Sequence, residues 1–141
     1  MPRTFREGNL SFRYPDNWQL EREDNDHGWT VSLYGPSTAF LTLCLDSDGP
    51  ESERMADTAL EALRSDYPDL DADEKAEKVG GRWAVGHDIS FFSFDLTNTC
   101  WTRSFDSPDG TVLLLCQVSD IDADDEPVLR AICKSLRVAE E

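Results

Sequence analysis

The sequence predicts an α+β fold, an antiparallel β-sheet of about six to seven strands flanked by helices, and three observations carry that prediction. Apolar residues alternate with polar ones through most of the chain, as in Trp29, Val31 and Leu33 against Thr30, Ser32 and Tyr34, the period of a half-buried strand. The apolar period lengthens to that of a helix in two places, after Gly49-Pro50 and near the C-terminus. Tight-turn residues join successive strands at Gly8-Asn9, Gly80-Gly81 and the SPDG run 107–110, and joints this short make neighbouring strands antiparallel. The order β-rich, helix, β-rich, helix then places helices over an antiparallel sheet.

Taken in order, RTFR (3–6) and LSFRY (10–14) form a hairpin, with Gly8 and Asn9 supplying positive φ and Phe5, Leu10 and Phe12 an apolar face. Pro15, Asp16 and Asn17 make a turn between two large apolar bodies, Tyr14 and Trp18. WQLER (18–22) extends from it, DNDHG (24–28) is a loop, and WTVSLYG (29–35) and AFLTLCLD (39–46) are strands. Met55, Ala59, Leu60, Leu63 and Tyr67 recur at helical spacing, with Pro50 tolerated in the first turn and Pro68 ending the run. EKAEKVGGRWAVGHDIS (74–90) reads as strand, Gly-Gly turn, strand, with Trp83, Val85, Ile89 and Phe91 on one face. Phe92 and Phe94 then break the phase, and a β-bulge near Phe91-Phe92 is expected. TCWTRSF (99–105) and TVLLLCQVS (111–119) are strands, and the run LLL predicts burial on both faces, hence a central position. A last helix from Asp124 to Arg137 carries Val128, Leu129, Ile132 and Leu136 on one face. Acids at 122–126 and bases at Arg130, Lys134 and Arg137 match its dipole.

A chain of 141 residues with no linker or repeat fits one domain over 1–141 and buries a core without metal or disulfide staples. Thirteen Lys and Arg against 29 Asp and Glu give a net charge of −16. That balance argues against nucleic acid and anionic membrane surfaces, which require clustered positive charge. Nineteen of the acids fall in the runs 21–26, 46–53, 66–77 and 120–126, expected in loops or helix starts. Such runs keep loops solvated, or they steer a basic partner. The N-terminus has no apolar signal-like segment and no run reaches membrane-spanning length, so the cytoplasm is expected. Cys44, Cys100, Cys116 and Cys133 form no C-x-x-C pair and lie in apolar segments, where free thiols pack as small hydrophobes.

Phe5, Gly8, Leu10, Ser11, Phe12, Tyr14, Pro15 and Trp18 near the start, with Ser135, Leu136 and Val138 at the end, make the chain similar to the PsbP-like superfamily, which includes Ran guanine-nucleotide release factors and DcrB-type bacterial proteins. The resemblance implies an α/β/α sandwich around an antiparallel sheet. It implies no activity, because these families mostly bind other proteins and share no catalytic set, and no functional residue carries over.

Tests for chemistry leave little. DIDADDEP (120–127) opens like a calcium loop, but Asp125 stands where glycine is required and Ala131 where glutamate is. No nucleophile elbow, P-loop or dinucleotide motif is present, and neither a cofactor nor a metal is expected. His27 lies in a polar loop. His87 is in phase with Val85 and Ile89, so it is either a hydrogen-bonded core residue or a general base beside Cys100, Cys116 or a carboxylate. The aromatic surplus at Trp29, Phe91, Phe92 and Trp101 is either core or a patch for a partner. The expected function is a non-catalytic module binding a protein or apolar peptide of positive charge, or its own copy in a homodimer. The alternative is a small-ligand or hydrolytic site around His87.

Overall fold

The computed structural model describes residues 2–139. Strands β1 (Pro2–Glu7), β2 (Leu10–Pro15), β3 (Gln19–Asn25), β4 (Gly28–Tyr34) and β5 (Phe40–Asp46) precede helix α1 (Ser52–Asp66). Strands β6 (Asp71–Val79), β7 (Arg82–Ser93), β8 (Leu96–Ser107) and β9 (Gly110–Ser119) follow. A 3-10 turn over Asp120–Asp125 then leads into α2 (Glu126–Ser135) and the short β10 (Arg137–Val138).

Seven strands form one antiparallel sheet in the order β3-β4-β5-β9-β8-β7-β6. Strand β9, which carries the LLL run, is the middle one, as burial on both faces requires. One face, bearing Val31, Leu33, Leu43, Trp101, Phe105, Val112 and Cys116, packs in a single cluster with Leu129, Ile132 and Leu136 of the α2 region and with Phe5 and Phe12. Burying side chains such as Leu129 and Ile132 contributes about 1.5–3 kcal/mol each, which is why α2 stays down despite its charges. On the other face α1 sets Leu60 over Ile89, Phe91 and Cys100.

The two ends of the chain meet. Strands β1, β2 and β10 form a separate three-stranded sheet in which Val138 pairs with Leu10 and Arg137 with Ser11. The Arg13 amide donates to Ser135 Oγ at 2.8 Å. Trp18 is buried under Gly35, where a side chain would press on the indole at 2.8 Å, and the Trp18 amide donates to the Pro15 carbonyl at 3.1 Å to close the turn. The Tyr-Pro-Trp stretch is therefore a corner of the core.

Four expectations change. The β7–β8 register runs without interruption from Val85↔Ser104 to Ser93↔Leu96, so no bulge separates Phe91 from Phe92; Phe91 points into the core and Phe92 outward. The acidic residues of 21–25 and 71–77 lie on the edge strands β3 and β6 rather than in loops, where charge blocks edge-to-edge pairing. Gly8 alone has positive φ in the first hairpin; Asn9 instead turns its amide to Asp109. The last helix ends at Ser135, because pairing with β2 draws residues 137–138 into a strand.

Gly86 shows how closely the strands approach. A Cβ there would overlap the Thr102 carbonyl oxygen, which accepts from Arg103 Nη1 at 2.7 Å. Arg103, itself buried, also donates to Glu77 at 2.6 Å and Asp88 at 2.8 Å, so the region cannot shift freely. Gly86→Ala is expected to destabilise the protein by about 1–3 kcal/mol, read as a lower urea midpoint at unchanged slope.

Candidate functional site

His87 is buried on the α1 face of β7. Its amide donates to Thr102 Oγ1 at 3.1 Å, its Nε2 lies 3.9 Å from Asp57 Oδ1 of α1, and its Nδ1 is buried without a hydrogen-bond partner. A cleft of about 410 Å³ beside it is lined by Glu53, Asp57, Glu74, Lys75 and Val85. The sheet register decides against one cysteine partner and burial against the other. Cys116 pairs with Trp101, which pairs with Asp88, so it lies on the opposite face from His87. Cys100 shares the His87 face, but burial pushes its thiol up to about 12 and so disfavours the thiolate. Asp57 stands beyond hydrogen-bond distance, and no serine, threonine or cysteine lines the cleft. Among the described residues no group of three or more His, Cys, Asp or Glu is placed to hold a metal.

The four aromatics do not form one patch. Trp29 packs against Phe5 with ring centroids 5.5 Å apart, and Trp101 lies under the Arg130 guanidinium at 3.7 Å. Phe91 stacks on Tyr67 at 4.1 Å. All three are buried and present no ring to a partner, because their strand parity turns them beneath a helix or the small sheet. Phe92 is different, with 75% of its surface exposed.

Phe92 belongs to a feature that the sequence reading passed over. Strands β7 and β8, twelve residues each, run out to a two-residue turn, Phe94-Asp95, between the paired Ser93 and Leu96. Both turn residues have positive φ, 52° and 62°, as type I′ hairpin geometry requires. The neighbouring β6–β7 turn solves the same problem with Gly80 and Gly81 at 62° and 87°. An L-residue in that region costs about 1–2 kcal/mol, and a phenylalanine has no polar group to offset it. Phe94 is 97% exposed, so packing does not repay the strain either. The tip stands next to a cleft of about 310 Å³ lined by Tyr67, Pro68, Leu70, Phe91 and Phe92 together with Asp66, Asp69 and Asp71. Two aromatic rings and an apolar cleft thus lie beside three carboxylates.

The signal for this feature was parity. Phe92 and Phe94 alternate with Phe91 and Ser93, in phase with Asp88 and Ser90 rather than with the core residue Ile89. Without glycine or asparagine, the turn itself gave no cue. The acids of 120–126 also have a structural use. Asp122 accepts from the Thr38 amide at 3.1 Å and hydroxyl at 2.8 Å, and Asp125 accepts from Ser37, tying the loop before β5 to the start of α2. Among the described residues no helix is long and apolar enough to cross a membrane.

No protein-family model and no curated protein matches the chain. Solved structures do. Cyanobacterial PsbP from Synechocystis superposes with a TM-score of 0.66 at 9% identity, covering 98% of this chain and 92% of that one. A protein of unknown function from Pseudomonas aeruginosa matches at 0.58 and 15%, covering 99% of both chains. A Bacteroides thetaiotaomicron structure matches at 0.62 and 15%; 98% of this chain is covered, which spans about half of that protein's length. LpqN of Mycobacterium tuberculosis, involved in cell envelope biogenesis, matches at 0.56 and 14% over 93% of this chain and 83% of its own. The chain has a PsbP-like fold, and at these identities the likeness extends to the fold alone.

Proposed function

We propose that the chain is a one-domain, non-catalytic binding module of a reducing compartment such as the cytoplasm, and that it engages a protein partner through the β7–β8 hairpin tip. The observation that carries the reading is Phe94, an almost fully exposed aromatic held at positive φ where the fold favours glycine or asparagine. Strain that the folded chain does not recover points to a use outside it. The partner is a basic segment with an apolar side chain: the apolar group enters the cleft beside Phe92, and lysines or arginines face Asp66, Asp69 and Asp71. The net charge of −16 favours such a protein over an anionic membrane as the surface that receives the two rings. Four free cysteines support the reducing compartment.

The experiment is a turn replacement. Phe94→Asn with Asp95→Gly keeps the type I′ geometry and removes the strain, so it is expected to raise stability by about 1 kcal/mol while weakening partner binding. A loss of stability on thermal unfolding would mean that Phe94 serves the fold, and the reading would fail.

A further inference from the structure

We propose that Cys116 and Cys133 are a peroxide-oxidisable dithiol that closes to an intramolecular disulfide between β9 and α2. The two sulfurs lie 3.4 Å apart, one on the middle strand and one on the helix packed over it. A disulfide bond is about 2.0 Å long, so closure needs a further approach of the two sulfur atoms along a line on which they already face each other. The site is also asymmetric: Cys116 is completely buried, whereas Cys133 is only partly buried at the edge of the core cluster.

The surroundings assign the roles. The hydrogen bond shared with Cys116, a second with the Trp101 indole and the positive charge of Arg130 and Arg103 hold the Cys133 thiol below its ordinary range, against the opposing effect of burial. Burial pushes Cys116 well above it. Cys133 is therefore the attacking sulfur and Cys116 the resolving one. The Cys133 thiolate attacks one oxygen of hydrogen peroxide; an S–O bond forms, the O–O bond breaks, and hydroxide leaves and is protonated to water. The sulfur has lost two electrons to the peroxide and is a sulfenic acid. Cys116 then attacks that sulfur, the S–S bond forms, the S–O bond breaks, and the hydroxyl leaves as water with the Cys116 proton. Two thiols and one peroxide give one disulfide and two waters. The product fixes α2 to the sheet, and a thiol reductant reverses it. This inference does not rest on the hairpin reading.

The test uses the reduced full chain treated while folded with equimolar hydrogen peroxide and then alkylated in denaturant, so that buried thiols are counted too. Two of its four cysteines should become unreactive, a peptide pair joined through Cys116 and Cys133 should be recovered by mass spectrometry, and dithiothreitol should restore all four. Cys133→Ser should block the loss, and in Cys116→Ser a sulfenic acid at Cys133 should accumulate and be trapped by dimedone. If either variant does not fold, the wild-type peptide map decides. Four thiols still alkylatable after peroxide, equal loss at Cys44 and Cys100, or a disulfide between two molecules would overturn the proposal.

Discussion

Phe105→Ala is expected to destabilise the protein by about 3–5 kcal/mol, the largest effect of any single truncation considered. Phe105 lies on β8, pairs with Val112 of the middle strand and has no exposed surface. Its ring fills the layer between the seven-stranded sheet and the elements above it, in the same cluster as Leu129, Ile132 and Trp29. Truncation removes the transfer free energy of the ring and leaves a cavity whose walls belong to hydrogen-bonded strands, which cannot collapse without breaking the ladder. Native domains have about 5–15 kcal/mol in total, so the variant should show a large fall in urea midpoint. Phe92→Ala, on the same sheet but exposed, should change stability by no more than about 0.5 kcal/mol. Equal effects at the two positions would contradict the assignment of core and surface along β7 and β8.

Combining Phe92→Ser with Phe94→Asn is expected to weaken partner binding by more than about 30-fold, because exposed aromatic anchors typically carry 2 kcal/mol or more of an interface. The same variant should unfold at an unchanged or higher temperature, since neither ring is packed. The remaining binding should fall as salt rises from about 50 to about 500 mM, because Asp66, Asp69 and Asp71 act through solvent-exposed charge. Binding by isothermal calorimetry that is unmoved by the double variant would place the interface elsewhere on the molecule.

Much of the fold was legible because each strand announces itself twice, through alternation and through the turn that ends it. Trp29, Val31 and Leu33 gave β4 its inward face, Gly80-Gly81 gave the β6–β7 turn, and the LLL run located the middle strand. Strands β3 and β6 were harder to read, since an edge strand covered by charge has the composition of a loop. Strand β10 was illegible for a different reason: residues 137–138 are extended only because β2 offers them a partner 128 positions away, Leu10 against Val138. The candidate site suffered from a similar blindness. Composition cannot separate Trp101 under Arg130 from Phe92 in solvent; burial by a distant helix does that. Asp95 suits such a turn but Phe94 does not, and that departure is the observation on which the proposed binding role rests. The proximity of Cys116 and Cys133 likewise depends on where α2 docks, not on their spacing in the chain.

That the hairpin tip meets another protein is our proposal for this fold. Its most direct measurement is photo-crosslinking in cells with benzoylphenylalanine placed at position 94, and at position 83 as a control, since Trp83 is an exposed aromatic at the far end of the same strand. One discrete adduct with a basic protein is expected from position 94, absent from position 83 and lost when Phe92 is replaced by serine. No adduct from position 94, or the same adducts from both positions, would contradict it.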